Sequence, residues 1–428
     1  MFGKKDHLTV ERGRLHISGA DTVALAQEFG TPLYVTSEER LRQNFRAYDA
    51  FSSADKYFAV KANGNLALLR ILAQEGAGAD VFSAGELYLA SLAGIPRDKI
   101  LFNGNSKRES ELVMAAASGV RVSVDSPEEL ETLARAAQSL DRTVEVLFRV
   151  NPDINVQTHP KIATGLRTSK FGIPHSQVVD VYRQAMASSH ILPVGLHCHI
   201  GSQILDVSSF VEAAGRMMDL AAAVTSADGS VEMIDLGGGL GIQYDPQAQP
   251  APSPADLAAG VLPVIRQRSA QIGISPRLVL EPGRSIVADS TILLTRVNTV
   301  KDAHVTFVGL DAGFNVLARP MLYDSYHHIV ACDRADQPAA GSYTVVGPIC
   351  ESGDVLARDR LLPPVQRGDV LAFLDAGAYG FSMSSQYNGQ GRPAEVLVAK
   401  DGGAELIRRA EGPSDLMAGQ MIPSRLLY

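Results

Sequence analysis

The sequence of 428 residues contains no tryptophan and only three cysteines, Cys198, Cys332 and Cys350. Three scattered cysteines do not match a disulfide framework or a cysteine-rich metal site. No apolar run approaches the length that a membrane-spanning helix needs. Acidic residues outnumber basic ones, and the net charge of −8 argues against a nucleic-acid-binding surface. These absences favour an enzyme that acts on a small molecule.

The chain begins with MFGKKDHLTV, which carries charge but no apolar core, so we expect no signal peptide and a cytoplasmic location. A content of 46% hydrophobic and 20% charged residues is ordinary for a soluble globular protein. The length predicts two or three domains. No internal repeat or low-complexity tract occurs, and the proline-rich stretch 245–254 predicts a loop that leads into a helix.

Short apolar runs alternate with longer segments of helical pattern over the first two thirds of the chain. The runs occupy residues 57–62, 78–82, 100–104, 121–125, 144–151, 194–201, 232–239 and 278–284. They are continuous rather than alternating, as expected of parallel strands buried on both faces. Eight such runs with helices between them predict a closed (β/α)₈ barrel. One intervening helix should begin at Ser126, with Glu129 completing a capping box.

The pattern changes after Ile286, where strand-like runs follow one another with little helix between them. The first residues, LTVERGRLHISG and TPLYV, are also strand-like. We therefore predict a barrel domain over 36–285 and a second, discontinuous β-sandwich or β-barrel domain over 1–35 with 286–428.

Barrel enzymes place their chemistry at the carboxyl ends of the strands, so the residues that end each run are candidates. Lys61 ends the first run, where partial desolvation would lower its pKa and free its amine to form a Schiff base. A lysine at a strand end can equally be an ordinary surface residue. Glu281 and Arg284 in EPGR could hold a pyridine nitrogen and a carboxylate, or form a structural ion pair.

Two further patterns point to a bound ligand. The GGGLG segment, 237–241, places backbone amides where they can cradle a phosphate, although tight turns also use glycine, and the nucleotide P-loop pattern is absent. His197 and His199 share one face of a strand. They could bind a metal or stack on a flat cofactor; since no acidic residue or cysteine nearby in the sequence completes a metal set, we predict no metal.

Several motifs occur in the order typical of a known family: YFAVKAN, HCHIGSQ, DLGGGLGI, EPGR, GPICESGD and DAGAYGFSMSSQYN. The chain resembles the fold type III, alanine-racemase-like pyridoxal-phosphate decarboxylases from about Gly30 to its end. The segments NPDINVQTHPKIATGLRTSKFGI and RPMLYDSYHHI resemble the diaminopimelate branch rather than the ornithine or arginine branches. One departure is DAGFNV at 311–316, where the family often has DAGMND.

The resemblance implies a role for each matching residue. Lys61 would carry pyridoxal 5′-phosphate, His199 would stack on its ring, and Glu281 would hold its ring nitrogen. The remaining residues of the cofactor site would be Asp80, Ser202, Gly238, Gly239, Gly283, Arg284 and Tyr379. The substrate end distant from the reacting carbon would contact Arg284, Arg319, Tyr323, Glu351 and Tyr379. Cys350 is a candidate proton donor to the reacting carbon, or an inert residue at an interface.

The resemblance also implies an activity and a partner. Glu281 would keep the ring nitrogen protonated, which favours decarboxylation, and the implied reaction converts meso-2,6-diaminopimelate to L-lysine and CO2. Cys350 and Glu351 would reach into the site of the partner subunit of a homodimer. Two alternatives remain: a related decarboxylase of another diamino acid or a carrier-bound amino acid, and a non-catalytic pyridoxal-phosphate-binding protein, which would lack the β domain.

Overall fold

The computed structural model describes residues 5–154, 156, 159–162, 164–165 and 169–427. The described residues form two compact units. The barrel unit contains Arg42–Gln243 and Ala248–Val287. The β unit contains the residues up to Leu41, the short segment Tyr244–Gln247, and the chain from Ala288 onward. The predicted barrel domain was 36–285, and no pattern in the sequence placed the segment Tyr244–Gln247 outside it.

Eight parallel strands form the centre of the barrel unit. They are Asp55–Ala59, Gly78–Val81, Ile100–Phe102, Arg121–Val124, Val144–Asn151, Ile191–His197, Met233–Asp235 and Arg277–Leu280. Each strand pairs with the next, and the eighth pairs with the first through Val279 opposite Asp55, which closes the barrel. Consecutive residues such as Val146, Leu147 and Phe148 are all fully buried, because one face meets the barrel interior and the other meets the helices. The prediction of a (β/α)₈ barrel is confirmed.

Helices surround these strands. The α-helices are Glu38–Arg46, which begins at the unit boundary, Leu66–Gln74, Ala84–Leu92, Glu109–Ser118, Pro127–Ser139, Val178–Met186, Val207–Thr225, Pro254–Ile272 and the short Arg284–Val287. The 3₁₀ turns are Ala47–Phe51, Val60–Ala62, Arg97–Lys99, Pro160–Ile162 and His175–Gln177. A two-residue strand, Ile173–Pro174, pairs with the fifth barrel strand. The helix predicted after the proline-rich loop begins at Pro254, with Ser253 as its N-cap.

The predicted capping box at Ser126 is only half correct. The Ser126 side chain accepts a hydrogen bond from the Glu129 amide, as expected of an N-cap. The Glu129 carboxylate, however, accepts from the Asp125 amide at 3.2 Å and from Lys107 Nζ at 2.6 Å. Lys107 is almost fully buried, so its ammonium group needs a carboxylate partner, and this demand takes Glu129 away from the reciprocal bond.

The β unit contains two sheets. Three strands, Leu8–Glu11, Arg14–Ile17 and Ala20–Asp21, form an antiparallel sheet of their own. The strands of the larger sheet run in the order Val355–Leu362, Gly341–Val346, Thr306–Leu310, Thr291–Asp302, Leu33–Ser37, Ala394–Val398 and Ala404–Arg408, with Val370–Phe373 and Ile329–Ala331 paired beside Thr291–Asp302. The α-helices are Thr22–Glu28, Arg319–Tyr323 and Pro413–Leu416, and the 3₁₀ turns are Phe381–Met383, Tyr387–Gly389 and Ser424–Leu426.

The strand Thr291–Asp302 separates two apolar cores within the β unit. Ile292 and Leu294 pack in one core, and Leu293 and Val297 pack in the other. The three-stranded sheet contributes Leu15 to the first of these cores, which explains why the amino-terminal residues belong to this unit. The prediction of a second, discontinuous all-β domain is therefore confirmed as a fold. No helix in the described part of the chain is long and apolar enough to cross a membrane.

Candidate active site

The first candidate, Lys61, lies in the 3₁₀ turn Val60–Ala62 that directly follows the first barrel strand. Its Nζ donates a hydrogen bond to Asp80 Oδ2 at 2.7 Å and lies 3.9 Å from the centre of the Phe82 ring. The Lys61 side chain is 29% exposed, whereas that of Asp80 is fully buried. Burial and the charge of Glu281 raise the pKa of Asp80. The amine thus lies beside a buried carboxyl group, on a side chain that is partly exposed.

Asn103 connects the carboxyl groups of Asp80 and Glu281. Its Nδ2 donates to Asp80 Oδ1 at 2.6 Å and to Glu281 Oε1 at 2.5 Å, and all three side chains are buried. Asn103 lies in the predicted run 100–104, but no role was predicted for it. Closure of the barrel brings it to Glu281, which lies 178 positions away in the chain.

Glu281 is the buried carboxylate that ends the eighth strand region. Burial by itself would raise the pKa of Glu281. The hydrogen bond from His197 and the charges of His197 and Lys61 outweigh burial and lower this pKa to about 2. Asp235, at the end of the seventh strand, has the opposite tendency: burial and the Glu281 charge raise its pKa well above the usual range. These opposite shifts favour the ionised form of Glu281 and the protonated form of Asp235, since two adjacent buried carboxylates do not both ionise readily.

His197 lies on the other side of Glu281. Its Nδ1 is 2.8 Å from Ser123 Oγ and its Nε2 is 3.4 Å from Glu281 Oε2. His197, Asp235 and Glu281 present possible metal-ligand atoms within 4.8 Å of one another. Asp235 and Glu281 come from distant parts of the sequence, so the lack of acidic residues close to His197 in the sequence does not exclude a metal set. The absence of a metal stays a prediction.

His199 is held as a neutral ring. Its Nδ1 accepts a hydrogen bond from the Gly238 amide at 3.2 Å, so the proton of the neutral ring lies on Nε2. Burial, together with the positive charges of Lys61 and Arg149, lowers the pKa of His199 well below its usual value. A flat, uncharged and fixed ring suits stacking on another aromatic ring.

The glycine loop after the seventh strand leaves no room for side chains. A Cβ atom on Gly238 would lie 2.1 Å from the carbonyl oxygen of Glu281, and one on Gly239 would lie 2.3 Å from that of Gly201. Gly239 also has a φ of +115°, which side chains disfavour. Backbone amides in such a loop are accessible to an anion.

One hydroxyl group and two guanidinium groups lie at or just after the carboxyl ends of barrel strands. Arg284 Nη2 donates to Ser202 Oγ at 2.9 Å. Arg149, at the end of the fifth strand, is buried, and its Nη1 has no hydrogen-bond partner among the described residues. The Arg149 guanidinium lies 4.3 Å from the centre of the Phe171 ring. Sequence analysis missed Arg149, although a charged residue inside an apolar strand was a signal that could have identified it.

These groups fit pyridoxal phosphate as a ligand. An open amine suits an aldehyde, and an ionised, buried Glu281 suits a protonated ring nitrogen. The glycine loop and Ser202 suit a phosphate, and the unsatisfied donor on Arg149 suits an oxyanion. Of the predicted cofactor residues, the structure brings together Lys61, Asp80, His199, Ser202, Gly238, Gly239, Glu281, Gly283 and Arg284, all of which belong to the barrel unit.

The other predicted residues belong to the β unit. Arg319 and Tyr323 begin and end a short helix, and Arg319 is buried. Cys350 and Glu351 lie in the loop before the strand Val355–Leu362, and both are exposed. The Cys350 amide donates to Asn388 Oδ1 at 2.7 Å, and Glu351 Oε1 accepts from the Tyr387 hydroxyl at 2.7 Å.

Two more aromatic positions complete the β-unit candidates. Tyr379 is partly buried and adopts a φ of +56°, an uncommon conformation for a tyrosine, in the segment that follows the strand Val370–Phe373. Phe314, in the segment that departs from the family pattern, lies with its ring centre 5.8 Å from that of Tyr387. The departure thus places an aromatic ring beside the tyrosine that binds Glu351.

Comparison with known proteins gives a consistent result. Residues 38–288 match the model of the family described as pyridoxal-dependent decarboxylase, pyridoxal binding domain. A diaminopimelate decarboxylase from Archaeoglobus fulgidus is 53% identical over 416 residues, which cover 97% of this chain and 99% of the relative. One from Methanothermobacter thermautotrophicus is 47% identical and covers 97% of this chain and 98% of the relative.

A solved structure is similar over nearly the whole chain. The crystal structure of diaminopimelate decarboxylase from M. jannaschii in co-complex with L-lysine has a TM-score of 0.94 and 41% sequence identity. The match covers 99% of this chain and 99% of that one.

Proposed function

The chain belongs to the family of pyridoxal-dependent diaminopimelate decarboxylases, and from this premise we infer that it converts meso-2,6-diaminopimelate to L-lysine and CO2. It is a carboxy-lyase that uses pyridoxal 5′-phosphate, and its reaction is the last step of lysine biosynthesis. The assignment of this substrate rests on the 53% identity to the Archaeoglobus fulgidus relative, which extends over nearly its full length and therefore over both units of the fold. The contacts from Lys61 through Asp80 and Asn103 to Glu281 account for the chemistry.

The residues of the barrel unit would hold the cofactor. Pyridoxal phosphate supplies an electron sink for the bond that breaks when CO2 leaves. Lys61 would bind it covalently through its amine, and the ionised Glu281 would bind its ring nitrogen and keep that atom protonated. His199 would contact the face of the ring with its neutral imidazole. Asp80 would orient the Lys61 amine through the 2.7 Å hydrogen bond between them.

The phosphate of the cofactor needs hydrogen-bond donors on residues with small side chains or none. Ser202, Gly238, Gly239 and Gly283 would surround the phosphate, together with Tyr379 of the β unit. Steric exclusion supports this role, because a Cβ atom on Gly283 would lie 3.0 Å from the Ala59 Cβ and one on Gly239 would meet backbone. Backbone amides and a hydroxyl bind phosphate without the charge of a lysine, which leaves Lys61 for the aldehyde.

The substrate end that does not react carries an amino group and a carboxylate. Arg284 and Arg319 would bind that carboxylate, since a guanidinium matches its two oxygens. Glu351 would bind the ammonium group, and Tyr323 and Tyr379 would contact the same end of the substrate. Cys350 would donate a proton to the carbon that has lost CO2. Its thiol is free and exposed, which a donor to a bound substrate requires.

We propose that the enzyme acts as a cytoplasmic homodimer in which Cys350 and Glu351 complete the partner's site. The exposure of both side chains in the single chain supports this arrangement, because a substrate-binding carboxylate works best when it is covered. Mixing Lys61→Ala protein with Cys350→Ala protein should restore activity, up to about a quarter of the wild-type value for random pairing of two inactive chains. Failure of the mixture to exceed either variant, while mixed dimers form, would contradict shared sites.

The test of the substrate is a comparison of five amino acids. The purified, pyridoxal-phosphate-loaded protein is incubated with meso-diaminopimelate, LL-diaminopimelate, lysine, ornithine or arginine, and CO2 and the amine product are measured. CO2 and L-lysine from meso-diaminopimelate alone are expected. Release of CO2 from another substrate only would move the specificity to that substrate, and no release from any of them would favour a carrier-bound substrate or a binding protein.

A further inference from the structure

We propose that His327 is a positioning residue that fixes the guanidinium of Arg319 for binding the carboxylate retained in the product. This inference rests on the proposed function, in which Arg319 binds that carboxylate. It concerns a group that the resemblance did not include, and the contacts that support it join residues of the β unit.

The protonation of His327 follows from its two neighbours. Its Nδ1 lies 2.9 Å from the carbonyl oxygen of Leu374, which can only accept, so Nδ1 carries the proton. Its Nε2 lies 3.0 Å from Arg319 Nη1, which can only donate. One neutral tautomer therefore satisfies both contacts, and His327 acts as an acceptor toward Arg319. The histidine is 1% exposed, so water does not compete for either bond.

A tyrosine fixes the same guanidinium on its flat face. The Arg319 guanidinium lies 4.4 Å from the centre of the Tyr244 ring, within cation–π distance. The Tyr244 ring also meets the His327 ring edge-on, with centres 5.3 Å apart and planes at 71°. Tyr244 belongs to the segment Tyr244–Gln247, which lies in the β unit although its sequence neighbours lie in the barrel unit. The contact between Tyr244 and the Arg319 guanidinium accounts for the place of this segment in the β unit.

These two contacts hold the Arg319 guanidinium in one orientation before a carboxylate binds. A free arginine side chain has many rotamers, and fixing one of them before the ligand arrives reduces the loss of conformational freedom on binding. His327 occupies one in-plane nitrogen and Tyr244 one face, so the guanidinium keeps a defined plane for a two-point contact with a carboxylate. A ligand without a carboxylate would gain nothing from this arrangement.

The test compares two ligands that differ by one carboxylate. L-Lysine and cadaverine are titrated by calorimetry into the pyridoxal-phosphate-loaded protein and its variants. His327→Asn can keep a donor toward Leu374 but has no acceptor that reaches Arg319, whereas the longer His327→Gln can offer an amide oxygen there. We expect His327→Asn to bind L-lysine about tenfold more weakly, with cadaverine affinity unchanged, and His327→Gln to stay within about threefold of the wild type.

Arg319→Gln separates failure of this inference from failure of the proposed function. If Arg319→Gln loses L-lysine affinity but His327→Asn binds L-lysine like the wild type, the positioning role is refuted and the proposed function stands. If Arg319→Gln also binds L-lysine like the wild type, Arg319 does not bind the carboxylate as proposed, and the positioning role of His327 fails with it. Failure of the wild type itself to bind L-lysine would count against the proposed function. Equal losses for L-lysine and cadaverine in His327→Asn would also overturn the inference, because they would indicate a general structural effect.

Discussion

Replacing Asn103 with leucine tests whether one amide holds the two buried carboxyl groups of the site together. Leucine has nearly the same shape as asparagine but offers no donor. The substitution removes the 2.6 Å hydrogen bond to Asp80 and the 2.5 Å hydrogen bond to Glu281 without opening a large cavity. It therefore isolates the polar contribution of the side chain from its packing.

The size of the effect follows from the two bonds. A hydrogen bond to a charged group contributes about 1.5–3 kcal/mol, and an acceptor left unsatisfied in a buried position costs a comparable amount. With both acceptors buried, the loss in the free energy of unfolding should reach at least about 3 kcal/mol, although neighbouring contributions are not strictly additive. Leucine should also weaken cofactor binding, because Glu281 loses one of the groups that orient it.

The assay is urea unfolding of the cofactor-free protein, with pyridoxal phosphate affinity measured separately by titration. Asn105→Leu is the matched control, because Asn105 lies two residues further on and its one side-chain hydrogen bond to another described residue is a 3.4 Å contact with Ser106. The control should change the free energy of unfolding by less than about 0.5 kcal/mol. A loss for Asn103→Leu no larger than that of the control would refute the reasoning that this amide supports the site.

Three further predictions concern single side chains. Glu281→Gln keeps an acceptor for Asn103 but removes the charge, so kcat should fall by about 10² to 10³ in a CO2-release assay; an unchanged kcat would contradict the role of the charge. Burial raises the pKa of Asp375 to about 6, so the stability that this group contributes is present below about pH 4 and is lost as the pH rises to about 6. Asp375→Asn should therefore remove a decline of about 3 kcal/mol between these pH values in urea unfolding, and an unaltered pH dependence would disprove the assignment. Cys350→Ala should lower kcat about 10²-fold with little change in cofactor absorbance if the thiol is the proton donor, whereas full activity would identify it as an inert interface residue.

The barrel could be predicted because its strands have a distinctive composition. Val144–Asn151 is buried on nearly every residue, and its largely apolar sequence without strict alternation is typical of a parallel strand covered on both faces. The strand Val355–Leu362 was missed for the opposite reason. Its sequence, VLARDRLL, has polar residues at its centre because the strand lies at the edge of its sheet, where exposed residues are tolerated.

The candidate site was predicted in part, and the residues that were missed share a cause. Lys61 and Glu281 belong to motifs that are recognisable in a linear sequence. Asn103 and Asp235 act through contacts between positions far apart in the chain, and the Nδ1 of His327 contacts the Leu374 carbonyl 47 positions away. Barrel closure and sheet pairing create such contacts. The raised pKa of Asp235 follows from burial and from the charge of Glu281, and neither cause is visible in the sequence.

The most direct test of the account measures CO2 and L-lysine from meso-diaminopimelate with three proteins: the wild type, Lys61→Ala and Lys56→Ala. Lys56 lies on the same strand region, five residues earlier, and binds Asp49 instead of Asp80, so it controls for the loss of a lysine. The account predicts equal amounts of CO2 and L-lysine from the wild type and Lys56→Ala, and neither product from Lys61→Ala. Turnover by Lys61→Ala with bound cofactor, or no CO2 from the loaded wild type, would contradict the central claim.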